Sequence, residues 1–218
     1  MLKNILALTV FYVNFALAAE GMPSIPNPAK ILNDSIAEII DPPGTAALNI
    51  IVSNLSSLKE LKKNNLASVE NIEHLIKVKL LPNIAVAIST ELALKEHWHK
   101  LNLQQKLIFQ TYVVQSLIKD YASILGAYDK LDSINISVDP NIRRKGNKAI
   151  VKLIIHFSDN PKPINVSLKM IRSSQWHAYD LVFSGVSLIK NYRAQFNSHI
   201  RRKGMDSLLS KISNKIKQ

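Results

Sequence analysis

After Asp129 the spacing of apolar residues changes from three and four to two, and near Val186 it changes back. That switch constrains the fold more than any other feature, because helices and strands present their apolar faces at different periods. Before it, residues 45–63 and 68–79 carry helical spacing, seen in Leu48, Val52, Leu55, Leu58 and Leu61. Pro82 interrupts the pattern, which resumes over 84–98. The longest helix is predicted over 103–128, with Leu107, Val114, Leu117, Ile118, Tyr121 and Leu125 along one side and Asn102 as its N-cap. Between the two switches, residues 133–138, 151–157, 164–170 and 176–183 alternate. Val151, Leu153, Ile155 and Phe157 share a face, as do Ile164, Val166, Leu168 and Met170, and as do Tyr179, Leu181 and Phe183. Short turns join these runs, which predicts an antiparallel meander. Helices return over 186–202 and 205–217. The expected class is α+β, a four-stranded antiparallel sheet with helices packed on one face.

Ahead of this pattern, Lys3 precedes 13 mostly apolar residues, Ile5 to Leu17, and Ala16-Leu17-Ala18 supplies the small residues of a cleavage site. This reads as a secretory signal peptide over 1–18, too short for the ~20 residues of a membrane span. Residues 19–44, rich in proline, read as an extended leader, and 45–218 as one domain. An exported chain with no cysteine has no disulfides and must be held by its core. The net charge of +12 then either points to anionic membrane surfaces or acidic proteins, since export disfavours nucleic acid as a partner, or reflects only a composition rich in Lys, Asn and Ile.

Catalytic chemistry is missing from the pattern. His97 and His99 flank Trp98 and point to different sides of a helix, and the other four histidines have no ligand at metal spacing. Ser184-Gly185-Val186-Ser187 lacks the flanking glycines of a nucleophile elbow. The expectation is a protein that is not an enzyme and holds no metal or cofactor. What remains is apolar material. One aliphatic sheet face and the apolar sides of five or six helices suit a filled core and a partly hollow one equally.

The stretch YDLVFSGVSLIKNYRAQFNSHI, residues 179–200, resembles the C-terminal signature of the MlaC family, also called the toluene-tolerance auxiliary component. A second block, LLPNIAVAISTELALKEHWHKLNLQQKLIFQTYVVQSLIKDYASIL, is similar to that family's helical segment. Ser184 stands where the family usually has an acidic residue before Gly185, and Lys95-Glu96-His97 replaces the commoner Gly-Arg-Tyr.

The resemblance implies a periplasmic phospholipid carrier with a highly curved sheet, related to the nuclear-transport-factor architecture, that encloses an apolar pocket. Its cargo would be phospholipid. Its partners would be an outer-membrane lipoprotein complex and an inner-membrane ABC transporter with its membrane-anchored substrate-binding subunit, and the carrier itself a monomer. The expected lining is Leu81, Ile84, Ile88, Leu117 and Tyr121 from the early helices, and Leu153, Ile155, Val166, Leu168, Tyr179, Leu181 and Phe183 from the strands. Val186 would end the last strand at the pocket wall, and Gly185 would allow a sharp turn. Ile189, Tyr192 and Phe196 would form a stripe closing over the sheet. Arg143, Arg144, Arg193, Arg201 and Arg202 are candidate contacts for headgroups or acidic partners. The competing reading is a protein-binding module with a filled core that acts through its basic surface.

Overall fold

The computed structural model describes residues 42–126, 130–158 and 160–217. The expected signal peptide and all but the last three residues of the expected leader lie outside them. Among the described residues, six helices, α1 (Pro43–Lys63), α2 (Val69–Leu75), α3 (Val86–Leu94), α4 (Leu103–Gly126), α5 (Leu188–Lys203) and α6 (Met205–Ile216), accompany one antiparallel sheet. The strands are β1 (Ile134–Val138), β2 (Arg143–Lys145), β3 (Lys148–Phe157), β4 (Asn160–Arg172), β5 (Trp176–Phe183) and β6 (Val186–Ser187). Their order is β1-β3-β4-β5-β6, with β2 pairing β3 beyond the end of β1.

Six strands therefore stand where four were expected. The two additions are short and lack apolar alternation: β2 is the cationic triplet Arg143-Arg144-Lys145, and β6 is two residues running straight into α5. Their pairing is set by tight turns, with positive φ at Gly146 for the first and at Ser184 (49°) and Gly185 (81°) for the second. Two successive left-handed residues make the type of hairpin turn that matches sheet twist. A Cβ on Gly185 would meet nothing within 4 Å, so its dihedral angle demands glycine, not a crowded neighbour.

α1 starts at Pro43, where proline's fixed φ suits a first helical position. Its Gly44 lets the helix approach the sheet edge closely, since a Cβ there would lie 2.8 Å from Ile142 Cδ1. α4 begins with the expected cap, built reciprocally. The Gln105 N–H donates to Asn102 Oδ1 at 2.9 Å, and the Asn102 N–H donates to Gln105 Oε1 at 3.0 Å.

Three apolar clusters organise the interior. The first joins α3, α4, α5 and α6 through Leu94, Phe109, Val113, Ile189, Tyr192, Phe196 and Ile212, with Tyr179 reaching it from the sheet. The second sets Ala47 and Ile50 of α1 on Val151, Leu153, Leu168, Met170 and Trp176 of the sheet. The third joins α1, α2 and α4 through Leu58, Ile72, Leu75, Ile118 and Ala122.

α4 thus carries two apolar stripes, one toward α3, α5 and α6 and one toward α1 and α2. Leu107 was expected among its buried residues but is 47% exposed. It lies on the side of Val114 and Ile118, two turns before that side meets the third cluster.

Candidate functional site

Pairing across the sheet builds one continuous apolar face. Ala149, Val151, Leu153 and Ile155 of β3 lie opposite Met170, Leu168, Val166 and Ile164 of β4. Leu168 and Val166 lie opposite Leu181 and Phe183 of β5, and Phe183 lies opposite Val186 of β6. On the other side, Ile155 and Leu153 face Ile136 and Val138 of β1.

Burial along this face is graded. Near β2 it is sealed under α1, with Val151 and Met170 at 0% exposure and Trp176 at 2%. Toward the β5–β6 hairpin it opens: Ile155, Ile164, Val166, Leu181 and Phe183 are half-buried, and Val186 is 39% exposed. Leu80 bridges this face to the cluster of α1, α2 and α4, packing against both. It closes a π-helical turn, Ile76–Leu80, that follows α2 directly; such widened turns often mark functional positions.

The expected lining residues divide among these surroundings. Leu153, Leu168 and Leu181 meet in the sheet cluster, and Ile155, Val166, Phe183 and Val186 continue the same face to its open end. Leu81 and Tyr121 pack against the cluster of α1, α2 and α4. Ile84 and Ile88 are half-buried, Ile84 bridging to Ala178 beside β5.

Ile189, Tyr192 and Phe196 do not close over the sheet face. They belong to the helical cluster, as does Leu117, and form its aromatic centre: Phe196 lies 5.3 Å from Phe109 and 5.8 Å from Tyr192, ring centre to ring centre. Burial and the nearby Asp120 carboxylate push the Tyr192 phenol well above its ordinary pKa, so it is a neutral packing group.

Tyr179 also leaves the lining. A bulge between Lys169 and Met170 makes Ala178 face Met170 and Asp180 face Lys169, so Tyr179 is the extra residue. It turns toward the helical cluster while Leu181 and Phe183 stay with the sheet face. Alternation alone carries no sign of an inserted residue.

The candidate cations are likewise sorted. Arg193 is half-buried, and its Nε (3.0 Å) and Nη2 both donate to the Leu92 carbonyl near the end of α3. It ties α3 to α5 and is not presented to a headgroup. Arg144 lies over the Trp176 ring at 5.7 Å, covering the sealed end of the sheet face, while Arg143 is exposed. Arg201 and Arg202 are exposed in the last turn of α5, where cations suit the helix dipole.

Nearby, His199 contacts Ser207 Oγ at 3.1 Å. Burial, and then Lys211, Lys203 and Arg202, hold its pKa below the ordinary histidine value. The unfolded chain therefore takes up this proton first. The contribution of His199 is full above about pH 6.5 and falls as pH drops through that value toward the folded pKa. His199→Gln is expected to flatten the stability curve across mildly acidic pH, as read by urea unfolding.

One buried ionisable residue escaped the sequence reading. Asp180 is 6% exposed and binds three groups: Lys169 Nζ at 2.9 Å, Ser187 Oγ at 2.7 Å and the Ile189 N–H at 3.1 Å. Ser187 in turn caps α5, accepting from the Lys190 N–H at 3.1 Å. The carboxylate thus joins β4, β5, β6 and the start of α5. Its signal in the sequence was a lone acid inside an apolar strand.

Among the described residues, no group of three or more histidine, aspartate or glutamate side chains is placed to hold a metal, and no helix is long and apolar enough to cross a membrane. A cleft between α4 and α6 is lined by Tyr112, Gln115, Ser116, Lys119, Asp120 and Lys215, a lining too polar for alkyl chains.

The model of a family described as MlaC protein matches residues 50–214. Among solved structures, the chain is similar to a phospholipid-binding protein from Ralstonia solanacearum, solved in complex with a phospholipid. The TM-score is 0.69 at 20% identity, over 80% of this chain and 97% of that one, a likeness of fold.

Proposed function

This chain belongs to the MlaC family, and on that premise we propose that it is a periplasmic phospholipid carrier whose alkyl chains lie on the inner face of the sheet. The observation that carries the reading is the burial gradient. An apolar face sealed beneath α1 at one end and half-covered around Ile155, Val166 and Phe183 at the other is a groove with a mouth. The phospholipid held by the Ralstonia solanacearum protein of the same fold supports it.

Two alkyl chains cost on the order of 20 kcal/mol to expose to water, at ~0.8 kcal/mol per methylene, so a carrier must cover most of both. It must not outbid the bilayer by much, or it would never release them. Hand-off requires a state in which the mouth widens, and a docked partner would favour that state. The partners in this reading are an outer-membrane lipoprotein complex and an inner-membrane ABC transporter, with direction set by them. The shuttle would maintain outer-membrane lipid asymmetry. Residues 1–18 would direct export, and the rest would act as a monomer without catalysis.

Mass spectrometry of the purified protein tests this, first native and then after denaturation and solvent extraction. The expected result is about one phospholipid per chain, released on denaturation. A protein that carries no lipid and takes none up from vesicles would refute the reading and favour a module acting through its basic surface.

A further inference from the structure

The corner where α3 gives way to α4 presents apolar side chains to water. Leu103 is 73% exposed, the highest value among the large apolar residues described as exposed, and Leu107, one turn later on the same side of α4, is 47% exposed. Neither residue belongs to any of the three apolar clusters described above. Both lie on a helix side whose cover begins further along the chain, around Val114.

Their surroundings are cationic. Lys95 and Lys100 are exposed on the 3-10 turn that precedes α4, with Glu96 as the single acid of that turn. Lys106 is half-buried, with its ammonium 4.9 Å above the Trp98 ring. Exposed leucines with lysines close by along the chain, one of them over a half-buried tryptophan, match a surface that is apolar at its tip and anionic around it. A bilayer carrying anionic headgroups has that profile: acyl chains accept the leucines and phosphates meet the ammonium groups.

The helix start at this corner is also capped. The reciprocal Asn102–Gln105 bonds satisfy two backbone N–H groups at the helix start that would otherwise be stranded on dehydration. Leu101, 6% exposed in the helical cluster, anchors the corner so that Leu103 and Leu107 stand on a fixed base.

We propose that this corner, Leu103 and Leu107 with Lys100 and Lys106, docks the protein directly onto anionic phospholipid bilayers. In the carrier reading, on which its purpose rests, the contact keeps the protein at the membrane while cargo is passed through the separate groove.

The test is flotation of the full chain with vesicles of phosphatidylethanolamine containing a minority of phosphatidylglycerol, against vesicles of phosphatidylcholine alone. Wild type is expected to float with the first and poorly with the second. The double variant Leu103→Ser, Leu107→Ser is expected to lose about tenfold or more of that partitioning. Lys100→Gln is expected to lose about fivefold. Because all three positions are exposed or half-exposed, the variants should unfold like wild type. Bound lipid, measured separately by native mass spectrometry, should be unchanged. A wild type that floats with neither vesicle overturns the proposal, and so does a double variant that floats as well as wild type. Absence of cargo with intact flotation would count against the carrier reading alone.

Discussion

Asp180→Ala is expected to lose about 3–5 kcal/mol of folding stability, the range for removing one partner of a buried ion pair. The substitution deletes an acceptor shared by Lys169, Ser187 and the Ile189 N–H. The Lys169 side chain is only 28% exposed and would be left with an uncompensated charge. At the same time the start of α5 loses a negative group, where the helix dipole favours one. For a chain of this size the loss corresponds to about 10 °C in midpoint temperature. Chemical unfolding checks it, and a loss below about 1 kcal/mol would show that Lys169 escapes to solvent. Adding Lys169→Met to Asp180→Ala should recover part of the loss, because the stranded charge leaves with the lysine.

Val166→Asp is expected to remove bound phospholipid while leaving the lipid-free protein folded. Val166 sits between Leu153 and Phe183 on the graded sheet face, half-buried at its open end. In the empty protein a carboxylate there reaches water through the mouth. With alkyl chains in place it must be dehydrated against hydrocarbon, which costs several kcal/mol or forces the acid to take up a proton. Lipid retention in native mass spectrometry should fall at least tenfold. Ser167→Asp, on the opposite face of the same strand and beside Lys152, should retain lipid as wild type does. Equal lipid in Val166→Asp and wild type would place the cargo elsewhere. Val186→Asp, at the residue expected to end the last strand at the pocket wall, should be milder, because at 39% exposure the new charge can turn outward.

β3 and β4 were readable because their inner residues alternate along most of each strand. β5 spans the expected 176–183, and β3 and β4 extend the expected runs only at their ends. What the pattern hid were features made by single residues or by distant partners. The inserted Tyr179 moves an aromatic ring from the sheet face to the helical core without disturbing the visible alternation. Arg193 looked like a surface cation because its acceptor, the Leu92 carbonyl, is 101 residues away in sequence. Leu107 shares its helix side with buried residues and differs from them only in where α2 stops covering α4. The inner sheet face was legible as apolar material, but the grading of its burial depends on how far α1 reaches across the sheet.

The ends of the sheet bear on a different property. β5 could offer a row of unpaired amides, yet its outer edge is shared by two short covers. β6 pairs Val182 and Phe183 before the chain turns into helix, and the Ala85 N–H donates to the Ala178 carbonyl at 2.9 Å. On the far side the edge of β3 is divided between β1 and the cationic β2, with Asp139 and Asn141 between them. Neither margin is a long, flat, apolar strand on which a second chain could add itself. The described residues of this sheet thus leave no long apolar edge for a second chain to extend, although its inner face is half-covered around Val166 and Phe183.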